Sequence, residues 1–109
     1  MNIQALESML QAGKDSAMLR FTLAQLYQKN NNENENISTA ITHLKKALEL
    51  DAGYTAAWNL LGQCYNDSGQ PQLAKQAYQN GLEVAQKNGD KQMEKMLQVF
   101  IRRIDKASN

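Results

Sequence analysis

One cysteine, one histidine, one proline and one tryptophan stand among 109 residues, and each scarcity removes a class of protein. With Cys64 alone, no intrachain disulfide forms and no metal site built from several thiolates exists. Cys64 lies in an apolar helical stretch with no histidine beside it, so it reads as a small buried hydrophobe and not as a nucleophile. His43 is surrounded by Thr42, Leu44, Lys45 and Lys46, none of which is a carboxylate that would orient it as an acid or base. It is expected on a solvated helix face. A glycine-rich phosphate loop, a zinc-spaced Cys/His set and a Ser/His/Asp constellation are all absent. The chain therefore reads as a non-enzyme with no cofactor, no metal and no small-molecule substrate.

Charge of one sign is lacking too. The formal net charge is +1, which argues against nucleic acid or anionic lipid as electrostatically held partners. The basic residues Lys87, Lys91, Lys95, Arg102, Arg103 and Lys106 are interleaved with Asp90, Glu94 and Asp105, the pattern of a solvated helix face. No apolar run approaches membrane-spanning length, and Met1 to Glu7 show no basic segment leading into one. A cytoplasmic protein is expected. The matches to the glycosylation sequon at Asn36 and Asn66 then carry no meaning. At this length one domain is expected. Its low aromatic share, 6%, suits a stack of thin helical layers better than a sphere.

What is present is a pattern that occurs twice. Trp58-x2-Leu61-Gly62-x2-Tyr65 followed by Ala74-x3-Tyr78 echoes Leu23-Ala24-x2-Tyr27 followed by Ala40-x3-Leu44. The pairs Leu23/Leu61, Ala24/Gly62 and Tyr27/Tyr65 are offset by 38 residues, whereas Ala40/Ala74, Leu44/Tyr78 and Ala47/Gly81 are offset by 34. The difference falls in Asn30–Asn36, where short polar side chains favour turns and a loop is expected to grow.

These residues and their spacing resemble the tetratricopeptide repeat, a helix–turn–helix unit of about 34 residues with large, small and aromatic positions in that order. The second copy, Thr55 to Asn88, matches better. The first has Arg20 where the second has Trp58, and Ala52 and Gln86 stand where the family's proline is expected. The resemblance implies an all-α fold, a right-handed solenoid of antiparallel helix pairs. Gly62 allows its helix to approach its partner closely, with Trp58, Leu61, Tyr65 and Tyr78 filling the space around it.

Periodicity divides the chain into about six helices. Ile3, Leu6, Met9 and Leu10 share a face of an opening helix that Gly13 ends. Asp15 or Ser16 caps a second, with Leu19, Leu23, Leu26 and Tyr27 inward. Ile37, Ala40, Ile41, Leu44, Ala47, Leu48 and Leu50 mark a third. Thr55–Tyr65 is a fourth, followed by a turn over Asn66–Gln70. Pro71 opens a fifth, carrying Leu73, Ala74, Ala77, Tyr78, Leu82 and Val84, and Asp90 caps a sixth with Met93, Met96, Leu97, Phe100 and Ile104 on one face. The expected organisation is one domain: a capping helix within residues 1–13, a repeat over 17–54, a second over 55–88, and a closing cap over 90–107. Polar residues including Arg102 and Arg103 are expected on the outer side of that last helix.

In the family, the first helix of each pair lines a concave groove that binds peptides or partner helices. Positions off the buried stripe are Met18, Phe21, Gln25 and Gln28 in the first pair and Ala56, Asn59, Gln63 and Asn66 in the second. Amides both donate to and accept from an extended backbone, and Met18 and Phe21 supply an apolar anchor. The alternatives are that these two pack on the opening helix and that the amides are ordinary solvated surface. A subclass of the family grips a C-terminal carboxylate with Lys, Asn and Arg; here the corresponding places hold Phe21, Gln25 and Leu60, with only Lys91 and Lys95 resembling its basic half. Such a clamp is not expected. The leading expectation is an adaptor, monomeric or weakly dimeric, that binds a protein or peptide. The alternatives are self-association through the Met93/Met96/Phe100 face and weak RNA binding through the basic C-terminal helix.

Overall fold

The computed structural model describes residues 2–30 and 34–108. The described residues form six α-helices and no strand: α1 (Ile3–Gln11), α2 (Ala17–Lys29), α3 (Asn34–Leu50), α4 (Thr55–Asp67), α5 (Pro71–Asn88) and α6 (Lys91–Ser108). Consecutive helices pack on one another, most extensively within α2/α3 and α4/α5, and the stack is elongated, 45 × 32 × 20 Å. No described helix is long and apolar enough to cross a membrane.

Local chemistry explains the boundaries. Ser16 Oγ accepts from the Leu19 amide at 3.1 Å and starts α2. Its neighbour Asp15, the other candidate cap, instead pairs with Arg20 at 2.9 Å. Pro71 opens α5 at a position where its missing N–H leaves no bond unmade. At the far end of that helix Gly89 adopts φ +70°, and the amides of Gly89 and Asp90 turn back onto the carbonyls of Gln86 (3.2 Å) and Ala85 (2.9 Å). Asp90 Oδ1 then accepts from the Met93 amide at 3.1 Å, so one turn both closes α5 and caps α6. Two expected loops are shorter than their composition suggests. α3 already includes Asn34 to Asn36, with Glu35 favoured in its first turn by the helix dipole, and residues 31–33 lie outside the described part. α4 likewise continues through Asn66 and Asp67.

The main core joins α2 through α6: Ala24, Ile37, Ala40, Leu44, Leu48, Ala57, Leu60, Leu61, Cys64, Tyr65, Ala74, Ala77, Tyr78, Leu97 and Ile104. A separate small cluster, Leu6, Leu19 and Leu23, holds α1 against α2. The two close approaches between helices are made by glycines. A Cβ on Gly62 would enter the Tyr78 ring, and one on Gly81 would lie 2.8 Å from the Cβ of Trp58. Both sit where the repeat pattern calls for a small residue.

Several side chains depart from the expected stripes. Met9, Leu50 and Leu73 are 42%, 48% and 42% exposed. α1 meets α2 along a narrow seam that Leu6 occupies, Leu50 is the last residue of its helix, and Leu73 forms the rim of a shallow depression with Leu61 and Tyr65. Trp58 is half-buried; its edge reaches the surface, where Nε1–H donates to the Ala52 carbonyl at 2.9 Å. The Met93/Phe100 face expected for self-association packs instead on the main core within the same chain. Basic charge near the C-terminus is diluted by ion pairs, Lys75–Asp105 at 2.5 Å and Lys91–Glu94 at 3.6 Å.

Candidate functional site

The alternation of helices places α2, α4 and α6 along one side of the stack. Between them lies a hollow of about 490 Å³ lined by Gln28 of α2, Gln63, Asn66 and Asp67 of α4, Pro71 and Tyr78 of α5, and Phe100, Arg103, Ile104, Ala107 and Ser108 of α6. Its walls differ in chemistry. Gln28, Gln63 and Asn66 present neutral amides. Opposite them, the Tyr78 and Phe100 rings lie 5.3 Å apart at a 40° tilt, and the Arg103 guanidinium sits 5.8 Å from the Phe100 centroid. Burial pushes the Tyr78 phenol up to about 12, so it remains a neutral polar group at the foot of the hollow. Asp67 and Arg103 make no ion pair among the described residues, which leaves one carboxylate and one guanidinium on different walls.

The seven partner-binding candidates, which leave out Ala56, separate in space. Gln28, Gln63 and Asn66 line this hollow together. Asn59 lies one turn before Gln63 on α4, half-buried, and its Oδ1 is buried without a hydrogen-bond partner among the described residues. Gln25 is half-buried on α2, three residues before Gln28. Phe21 packs its ring on Tyr54 at 5.0 Å, not on α1, and Met18 is 70% exposed at the start of α2. Along that helix Met18 is about 15 Å from Gln28, so an apolar anchor there is remote from the hollow. Lys91 and Lys95 are exposed on α6 and do not line it.

Sequence reasoning missed the α6 wall. Arg103 was expected on the outer side of that helix, yet it faces the hollow with Phe100, Ile104 and Ala107. The signal was available: positions 100, 103, 104 and 107 share one helix face. Tyr78 was read only as filler beside Gly62, and its ring serves both the helix contact and the hollow.

His43 also differs from expectation. It is half-buried, not solvated, because the α2/α3 pairing presses it against two α2 side chains. Its ring stacks on Tyr27 at 5.7 Å and 22°, and its Nδ1 lies 3.2 Å from Arg20 NH1. Arg20 is held in turn by both oxygens of Asp15, and the Tyr27 hydroxyl donates to the Glu7 carboxylate on α1. Burial lowers the His43 pKa, and the Arg20 charge lowers it further. The hydrogen bond to Glu7 raises the Tyr27 phenol to about 12. These residues tie α1, α2 and α3 together. Cys64 is buried, its thiol pushed up to about 12 by that burial, and the described residues hold no cluster of metal-ligating side chains.

The geometry agrees with known proteins. The family model described as Tetratricopeptide repeat matches residues 33–97. The TPR repeat-containing protein PA0015 of Pseudomonas aeruginosa is 40% identical over 107 residues, covering 98% of each chain. Among solved structures, that of protein BPP2914 from Bordetella parapertussis superposes with a TM-score of 0.80 at 40% identity, over 98% of this chain and 90% of that one. MamA superposes with a TM-score of 0.67 at 18% identity, over 98% of this chain and 70% of its own, a likeness of fold alone.

Proposed function

This chain belongs to the tetratricopeptide repeat family, and on that premise we propose that it is a non-catalytic protein-interaction module whose hollow between α2, α4 and α6 receives a peptide or helix of a partner protein. Repeat scaffolds present such concave surfaces for binding, and the family's members generally act as scaffolds and not as catalysts. The observation that carries the reading is the convergence of Gln28, Gln63 and Asn66 beside the Tyr78/Phe100 pair and Arg103. Amides satisfy both the N–H and C=O groups of a bound backbone, and the rings accept an apolar side chain. Asp67 and Arg103, neither of them in an ion pair among the described residues, favour an occupant that brings one basic and one acidic group.

A photo-crosslinking side chain placed at Gln63 tests this, with Gln76 as control because it lies on a different surface of α5. A discrete protein adduct from position 63 and none from position 76, lost when Arg103→Ala is added, is the expected result. Adducts only from position 76, or equally from both, overturn it.

A further inference from the structure

The chain contains two Asn-Gly pairs, Asn80-Gly81 within α5 and Asn88-Gly89 at its end. We infer that Asn88, and not Asn80, is a site of spontaneous covalent modification, converting to aspartate and isoaspartate at the turn between α5 and α6. Both asparagine side chains are exposed and neither carboxamide has a hydrogen-bond partner among the described residues. Both are followed by the residue that hinders an approaching backbone least. Only the backbone distinguishes them.

In this reaction the Gly89 amide nitrogen attacks Cγ of Asn88. A C–N bond forms, the side-chain nitrogen departs as ammonia carrying the proton lost from Gly89, and a five-membered succinimide closes. Water then opens the ring at either carbonyl. The net change is one water taken up and one ammonia released, without oxidation or reduction. Opening at one side gives aspartate; opening at the other gives isoaspartate, whose main chain runs through the former side chain and is longer by one methylene.

Ring closure requires ψ of the asparagine to leave the helical value, because the helix holds Cγ away from the next amide nitrogen. At Asn80 that movement is blocked. It is an interior residue of α5, and Gly81 is buried against Trp58 and Leu97, with a 2.8 Å approach to the Trp58 Cβ. Asn88 is the last helical residue. Gly89 has already turned to φ +70°, no atom beyond its chain neighbours lies within 4 Å of where its Cβ would be, and its amide is shared between the Ala85 and Gln86 carbonyls, the latter at 3.2 Å, at the open end of the helix. Helix ends open locally far more often than interiors.

The product acts on α6. A carboxylate at position 88 is disfavoured at a helix C-terminus, and it lies two residues from Asp90, whose carboxylate caps α6. The extra methylene of isoaspartate lengthens the turn that sets α6 against α5. Because α6 carries Phe100 and Arg103, the modification loosens one wall of the hollow. The inference itself stands whatever the hollow holds.

The full-length folded protein is incubated in warm, mildly alkaline buffer, and the two sites are followed by proteolysis and mass spectrometry with isoaspartate-specific separation. A urea-unfolded sample and Asn88→Gln serve as controls. Conversion at Asn88 about tenfold or more faster than at Asn80 is expected in the folded protein, with the difference lost on unfolding. Equal rates at the two sites, faster conversion at Asn80, or no conversion at Asn88 while the unfolded sample converts would each overturn the site. Faster amide exchange across Lys91–Ser108 in the converted fraction supports the effect on α6; unchanged exchange there refutes it.

Discussion

The ring of Tyr78 on α5 fills the space in which a side chain at Gly62 on α4 would begin, with its Cζ 2.7 Å from that point. Tyr78 is itself buried and is packed on its other side by Phe100. The ring is thus wedged between Gly62 and Phe100, and it can yield only toward the hollow that it lines.

Gly62→Ala is therefore expected to destabilise the protein by about 2 kcal/mol through overpacking, even though alanine is the better helix former by about 1 kcal/mol. Urea unfolding of Gly62→Ala, Tyr78→Leu and the double variant measures the coupling. Tyr78→Leu should cost less in the Gly62→Ala background than in the native one. Simple additivity would mean that the ring moves aside freely.

Trp58→Ala is expected to cost about 3 kcal/mol, the low end for a large aromatic, because the indole is half-buried and its N–H bonds at the surface. Gln63→Ala should leave stability within about 0.5 kcal/mol. Thermal melts of both variants decide whether the assignment of inside and outside is right; a larger loss from Gln63→Ala would reverse it.

Ending the chain after Asp90 retains the turn that closes α5 but removes α6. This uncovers Tyr78 and the surface that Leu97 and Ile104 close. A lower melting temperature and concentration-dependent association by light scattering are the expected consequences. A shortened protein as stable and as monomeric as the full one would show that α6 has no capping role.

His43 gives the fold a pH dependence of definite sign. Burial against Tyr27, with the Arg20 charge beside it, holds its folded pKa below the ordinary 6.5, and the nearby carboxylates of Glu7 and Asp15 only partly oppose this. As pH falls through that ordinary value, the unfolded chain binds a proton that the folded chain does not, and stability declines until His43 itself titrates. Asp15, also depressed, contributes stability above its ordinary 3.8 that disappears as pH falls through its folded value. Denaturant midpoints measured from neutral to mildly acidic pH should fall, and His43→Gln should flatten the upper part of that decline. An unchanged slope in His43→Gln would remove histidine from this account.

The helices were legible because their apolar residues recur at helical spacing and their ends carry recognisable signals: Ser16, Pro71, Gly89 and Asp90 each act where local chemistry places them. Gly62 was legible because a small residue amid large ones marks a close crossing. The hollow was only half legible. Gln28, Gln63 and Asn66 lie on the two helices that the repeat pattern identifies, but α6 falls outside the twofold pattern, so Phe100 and Arg103 looked like cap and solubilising surface. The surroundings of His43 were hidden because Arg20, Tyr27 and Glu7 are distant in sequence and only tertiary packing assembles them. Asn30–Asn36 misled by composition: asparagine favours turns, yet the last residues of that run enter α3.

The small cluster of Leu6, Leu19 and Leu23 under α1 stands apart from the main core and belongs to the front of the molecule alone. Its few contacts, with the Glu7–Tyr27 bond, are what α1 has to keep it in place. On warming, the protein should therefore fray from its leading edge, shedding α1 while α4 and α5 are still locked together, so that melting proceeds as a procession from front to rear.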